Sequence, residues 1–116
     1  MKTDIQLQGL VEELKKQAAQ SRVKLWRRIA SDLEKPTRHR RVVNLYKLNK
    51  FTKENEIVII PGKVLGTGEV DHQLTIAALN FSQSALTKLL RNKSTVYSIF
   101  ELMKNNPQGK KVRIIG

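Results

Sequence analysis

The chain has 116 residues, with 22 Lys and Arg against 10 Asp and Glu, which gives a formal net charge of +12. This length fits one domain, and 40% hydrophobic residues supply a core and argue against wholesale disorder. The absence of cysteine excludes disulfides and thiol catalysis, and no apolar run reaches the ~18 residues of a membrane span. So large a positive charge favours a polyanionic partner, and nucleic acid is the usual one.

The positive charge is concentrated in the first half of the sequence. Residues 1–54 hold 14 basic and 6 acidic side chains, a balance of +8, whereas residues 55–116 hold 8 and 4, a balance of +4. We therefore expect the first half to make the main electrostatic contact. The N-terminus lacks the apolar core of a signal peptide, so the cytoplasm is the expected compartment.

Two amphipathic helices are predicted in this first half. Apolar residues recur at helical spacing from about Asp4 to Ala19. A second helix, from about Arg22 to Leu33 with Ser21 as its cap, carries its cations on the side opposite its apolar residues. These cations are Lys24, Arg27 and Arg28. An ordinary solvated face is the alternative, but the scarcity of acidic neighbours favours a binding face.

A basic segment, residues 35–41, follows the second helix. Pro36 ends that helix because it lacks an N–H and restrains the residue before it. The segment contains no carboxylate, and its candidate phosphate contacts are Lys35, Arg38, His39, Arg40 and Arg41. We expect its arginines to matter more for binding than for folding, because the segment has no apolar residue to bury. A solvated basic linker is the alternative.

A short apolar helix that ends near Asn49 is predicted next, and it carries Lys47 as a further candidate contact. Residues 57–60 form a continuous β-branched run, which is typical of a strand buried on both faces. A second strand is predicted from Leu74 to Leu79.

A Gly-rich stretch from Pro61 to Glu69 is predicted to be a loop between these strands. Glycine lets a backbone approach a partner closely, and Lys63 places a cation at that point. The glycines are Gly62, Gly66 and Gly68. The stretch matches neither a Walker-type loop nor a dinucleotide-binding turn. It is therefore either a simple turn or a loop in which Lys63 contacts a phosphate; the rival role for Lys63 is an ion pair with Glu69 or Asp71.

The remaining sequence predicts a helix from Gln83 to Arg91, a helix capped by Ser94, and a strand from Lys110 to Ile115. Lys110 and Lys111 are candidate contacts at the start of this strand. The two histidines, His39 and His72, lack neighbours at metal-ligand spacing, so we expect no metal and no cofactor. A Ser–His–Asp site would assemble only in space, and Asp71-His72 is the one adjacent acid–imidazole pair; because no nucleophile motif accompanies it, we expect no catalytic residue.

Several segments resemble the archaeal and eukaryotic large-subunit ribosomal protein family eighteen-e, a relative of bacterial large-subunit ribosomal protein fifteen. The carrying segments are residues 33–38, 43–45, 61–68, 75–78 and 105–113. The run Pro-Gly-Lys-Val-Leu-Gly at 61–66 is the specific part, and the resemblance covers essentially the whole chain.

The resemblance implies a structural, non-catalytic protein bound to large-subunit ribosomal RNA and to neighbouring ribosomal proteins, with no membrane and no small-molecule substrate. The expected fold class is α/β. Residues 1–54 would form a helical, strongly basic, RNA-contacting region, and residues 55–116 a compact α/β domain of short strands and helices continuous with it. The alternatives are a free-standing nucleic-acid-binding or chaperone protein and an enzyme acting on small phosphorylated substrates.

Overall fold

A computed structural model of the chain describes residues 5–36 and 40–116. Within these ranges the helices are α1 (Ile5–Ser21), α2 (Lys24–Glu34), α3 (Leu45–Phe51), α4 (Gln83–Arg91) and α5 (Ile99–Asn105). The strands are β1 (Arg41–Asn44), β2 (Ile57–Leu65), β3 (Thr75–Phe81), β4 (Thr95–Ser98) and β5 (Val112–Ile114). The predicted α/β class, with N-terminal helices followed by short strands and helices, is confirmed.

The strands form one sheet in the order β1-β2-β3-β4, and every described strand pair is parallel. One edge of β2 is shared by two strands. Residues 57–59 pair with β5, and residues 62–65 pair with β1. The C-terminal residues therefore lie end to end with β1, and the Ile115 N–H donates to the Ile59 carbonyl at 3.1 Å. Parallel sheets are covered on both faces, and helices do so here.

Successive residues of β2 enter two separate cores. Val58 and Ile60 pack with α3 and α4 on one face, whereas Ile59 packs with α1, α2 and α5 on the other. All three side chains are fully buried, which confirms the prediction of a strand buried on both faces. Residues from both halves of the sequence contribute to each core. The division of the chain at residue 54 stays a prediction.

The predicted cap of the second helix is wrong. Ser21 is the last residue of α1, and its hydroxyl donates to the Gln17 carbonyl at 2.7 Å. Arg22 then adopts a φ of 61°, which ends α1. The next helix begins at Lys24, after Val23, which gives no side-chain cap. The helix ends at Glu34, just before Lys35 and Pro36, as the proline predicted.

Two predicted helices exist, as α3 and α5, but the residues predicted to begin them are strands. Residues 41–44 form β1 and residues 95–98 form β4, because each pairs with a distant strand. Ser98, rather than Ser94, caps α5, in a reciprocal arrangement with Glu101. Ser94 is buried, and its hydroxyl accepts from the Leu74 N–H at 3.1 Å. It therefore fixes the start of β3.

The first part of the Gly-rich stretch is strand rather than loop. β2 continues to Leu65, so Gly62 and Lys63 lie in the sheet. Ile60 pairs with Ala78 and Lys63 with Asn80, which leaves one extra residue in β2. This bulge accommodates Pro61, which has no N–H to donate. The loop prediction holds only from Gly66 onward.

Gly62 lies opposite Arg41 in the pairing of β2 with β1. A Cβ there would overlap the Arg41 carbonyl and come within 2.9 Å of the Arg41 nitrogen. We expect Gly62→Ala to destabilise the protein by about 1–3 kcal/mol, the usual cost of overpacking. The matched control is Gly9→Ala on α1, where a Cβ meets nothing within 4 Å. Because alanine favours helix, this control should gain about 0.5–1 kcal/mol. Urea denaturation measures both changes, and equal midpoints would contradict the steric explanation.

Candidate nucleic-acid interface

An open depression of about 560 Å³ lies along the outer side of α2. Four of its six lining residues are cations that the sequence predicted to bind phosphate. They are Lys24, Arg27, Arg28 and Lys35. The other two lining residues are Ser31 and Asp32. The fold therefore brings together cations from α2 and from the start of the basic segment.

The inner side of α2 fixes the direction of these cations. Trp26, Ile29 and Leu33 are fully buried between α2 and the sheet. The Trp26 indole N–H also donates to the Pro107 carbonyl at 2.7 Å, which ties α2 to the turn before β5. With this side of α2 held in the core, the opposite side must face solvent.

Three of the four cations have no competing partner. Lys24, Arg27 and Arg28 are exposed, and none forms an ion pair or side-chain hydrogen bond with the residues that the structure describes. An Arg guanidinium can present two parallel N–H donors to a phosphate, and Lys presents a point charge. The chemistry of this surface therefore suits a phosphate-bearing polymer.

Asp32 is the one carboxylate that lines the depression, as far as the described residues go. Its side chain is 10% exposed. One oxygen lies 3.2 Å from the Lys35 ammonium, and the other lies 3.5 Å from the Arg41 guanidinium. The sequence analysis did not predict that Asp32 pairs with these two cations; it treated the residue only as one of the few acidic side chains of this helix. The spacing of three residues between Asp32 and Lys35 could have indicated their ion pair, because side chains at this spacing meet along a helix.

The residues of the basic segment have different roles in the structure. Arg41 is the first residue of β1, and its guanidinium donates to the Gly116 carbonyl at 3.0 Å in addition to meeting Asp32. Arg41 therefore takes part in folding, unlike the expectation for the segment as a whole. Arg40 is half-buried, and its Nε donates to the Lys35 carbonyl at 3.3 Å. Arg38 and His39 lie outside the described residues.

Lys63 is exposed on β2. Neither of its predicted rival partners binds it: Glu69 pairs with Lys88 at 3.5 Å, and Asp71 accepts from the Asn49 amide at 3.2 Å. No ion pair joins Lys63 to the described parts of the chain. Its contact with phosphate stays a prediction.

The loop from Gly66 to Glu69 is held from within the protein. The Lys88 ammonium of α4 donates to the Gly66 and Gly68 carbonyls at 2.8 and 3.0 Å, a role that the sequence did not reveal. Gly68 has a φ of 91°, a backbone conformation that glycine adopts readily and other residues rarely adopt. Gly66 is required for a steric reason, because α4 leaves no room for a Cβ at this position.

The other predicted contacts do not line the depression. Lys47 is half-buried on α3, on the opposite face of the sheet, and Lys110 and Lys111 are exposed in the turn before β5. His72 lies 2.7 Å from the Thr52 hydroxyl. Within residues 5–36 and 40–116, no group of three or more His, Cys, Asp or Glu could hold a metal ion. No helix in the same ranges is long and apolar enough to cross a membrane.

Known proteins match the chain over most of its length. Residues 6–92 match the family described as ribosomal proteins 50S-L15, 50S-L18e and 60S-L27a. The chain is 44% identical over 114 residues to the large ribosomal subunit protein eL18 of Methanoregula boonei, covering 98% of this chain and 94% of that protein. It is 41% identical over 113 residues to the eL18 of Sulfurisphaera tokodaii, covering 97% and 92%.

A third relative, the eL18 of Sulfolobus acidocaldarius, is 42% identical over 115 residues and covers 97% of this chain and 94% of its own length. These matches cover nearly the whole chain and so extend beyond the family match, which ends at residue 92. The fold, the cationic side of α2 and these relatives lead to one conclusion: the chain belongs to the ribosomal protein family that comprises L15, L18e and L27a.

Proposed function

We propose that the chain is a structural protein of the large ribosomal subunit in the cytoplasm, where it binds and stabilises ribosomal RNA. The observation that carries the proposal is the depression on α2, where Lys24, Arg27 and Arg28 are exposed without partners in the described chain. The names of its relatives as large-subunit proteins support the same assignment. The role is non-catalytic, as family membership implies.

The binding mechanism is neutralisation of backbone phosphates. Arg27 and Arg28 donate paired N–H groups to phosphate oxygens, and Lys24 adds a point charge one turn earlier on α2. Such contacts set the position of a protein on RNA without reading its sequence. Because the buried side of α2 is anchored in the core, the cations are presented on a rigid support, which reduces the entropy lost on binding.

Binding to large-subunit ribosomal RNA should be steeply salt-dependent. The logarithm of the association constant should fall with the logarithm of salt concentration at a slope of roughly −0.7 to −0.9 per phosphate contact. Six or more contacts would lower affinity about a thousandfold between about 50 and 200 mM salt. Filter binding of the purified protein to transcribed ribosomal RNA measures the slope. An affinity that stays flat with salt would contradict the proposed mechanism.

Fractionation separates the ribosomal assignment from a free-standing nucleic-acid-binding or chaperone protein. A structural component sediments with large subunits in a one-to-one ratio and leaves them only at high salt. A free-standing protein distributes among many RNAs in proportion to their mass, because phosphate contacts carry no sequence information. Sub-stoichiometric recovery from washed large subunits would favour this second class.

A further inference from the structure

A buried carboxylate lies within a surface that binds a polyanion. Asp32 is 7% exposed and is surrounded by the cations of the depression. A negative charge at such a place repels phosphate. Its presence there is explained if it has a structural role whose benefit to binding exceeds this repulsion. We propose that Asp32 is a positioning residue, which holds the cations at both ends of the basic segment in the arrangement that binds RNA. This inference rests on the proposed function.

The geometry of Asp32 supports this role because each oxygen holds a different part of the chain. One oxygen binds the Lys35 ammonium at 3.2 Å, just beyond the end of α2. The other binds Arg41 at 3.5 Å, at the start of β1. The two ends of the segment, six residues apart in sequence, are thus joined through one carboxylate.

Other contacts complete the same junction. The Lys35 N–H donates to the Asp32 carbonyl at 3.3 Å, and Arg40 donates to the Lys35 carbonyl at 3.3 Å. Arg41 is further held by the Gly116 carbonyl at 3.0 Å. Hydrogen bonds that involve a charged group are the stronger ones, so the buried carboxylate is the centre of this junction.

The direction in which one substitution changes RNA affinity distinguishes a positioning role from simple electrostatic repulsion. If Asp32 only repels phosphate or competes for Lys35 and Arg41, Asp32→Asn removes a negative charge and raises RNA affinity. If Asp32 positions the two cations, the same substitution releases them and lowers RNA affinity. The two explanations predict opposite changes.

The test compares Asp32→Asn with Glu34→Gln, measured against large-subunit ribosomal RNA by filter binding. Both changes remove one negative charge from α2, but Glu34 is exposed and, among the described residues, pairs with Lys15 alone, at 3.1 Å. We expect Asp32→Asn to weaken binding by roughly threefold to tenfold and to reduce the magnitude of the salt slope by about 1, as when one or two phosphate contacts are lost. Glu34→Gln should bind as wild type or slightly tighter.

A background variant tests whether the effect passes through the two cations. In Lys35→Gln/Arg41→Gln, Asp32 has nothing to position, so adding Asp32→Asn should cause no further loss of affinity. A further loss of the same size would overturn the proposal. So would tighter binding by Asp32→Asn in the otherwise wild-type protein.

Circular dichroism melting identifies a variant that fails to fold. In that case Asp32→Glu is measured instead, because it keeps the charge but moves the carboxylate, by one methylene, away from the position in which it meets both Lys35 and Arg41. Positioning predicts weaker binding by Asp32→Glu at unchanged net charge, and wild-type affinity would overturn the inference. If the wild-type protein itself shows no salt-dependent binding to ribosomal RNA, the proposed function fails first, and this inference fails with it.

Discussion

Reversing the three exposed charges of α2, in Lys24→Glu/Arg27→Glu/Arg28→Glu, should weaken binding to large-subunit ribosomal RNA by about 4 kcal/mol or more, roughly a thousandfold. Each change removes a charge-assisted contact and replaces it with repulsion of a phosphate. Folding should be preserved, because the side chains are exposed and the first turn of α2 has no acidic residue to complement its dipole. Filter binding and thermal melting measure the two effects separately.

The control reverses three exposed cations on the opposite face of the sheet, at Lys50 of α3, Arg91 of α4 and Lys93, which follows α4. The net charge changes by the same amount, so non-specific attraction to RNA falls equally in both variants. A loss of affinity in the control as large as in the α2 variant would mean that net charge, rather than the α2 surface, determines binding.

Trp26→Ala should destabilise the protein by about 3–5 kcal/mol, the usual cost of truncating a fully buried aromatic side chain. Trp26 is fully buried between α2 and the sheet and also hydrogen-bonds the Pro107 carbonyl, so its loss opens a cavity and frees the C-terminal turn. The melting temperature should fall by roughly 10–20 °C, as measured by calorimetry or circular dichroism.

Trp26→Phe is the matched control for the cavity. It keeps most of the apolar volume and removes the indole N–H, and Gln17 still donates to the Pro107 carbonyl at 3.4 Å. Its cost should be about 1–2 kcal/mol, from the lost hydrogen bond and the smaller ring. If Trp26→Ala melts within a few degrees of wild type, the side chain does not anchor α2.

Local sequence patterns predict the elements whose formation depends on local interactions. The helical periodicity of α1 and the bounds of α4 are examples, as is the β-branched run of β2. The errors at residues 41–44 and 95–98 have a common cause. Each segment is only four residues long, and it becomes a strand only because a distant strand supplies its hydrogen bonds. A single sequence does not contain that pairing.

The residues of the candidate site were also predicted only where local patterns determine their position. The helical periodicity of α2 predicts which cations face outward, and the depression contains those three cations together with Lys35. The roles of Asp32, Lys88 and Arg41 were missed, because each depends on a partner brought close by the fold. Arg41 meets Asp32 and Gly116, residues 9 and 75 positions away in sequence. Charge alone cannot distinguish an arginine that holds the fold together from one that meets RNA.

The edge of β2 that β1 and β5 share has a consequence for the order of folding. Ile57 to Ile59 remain without hydrogen-bond partners on that edge until residues 112–115 have been synthesised and have reached the sheet. A growing chain therefore exposes an apolar strand edge, which can pair with other chains, until residues 112–115 arrive. Closing contacts between such distant residues also slows folding.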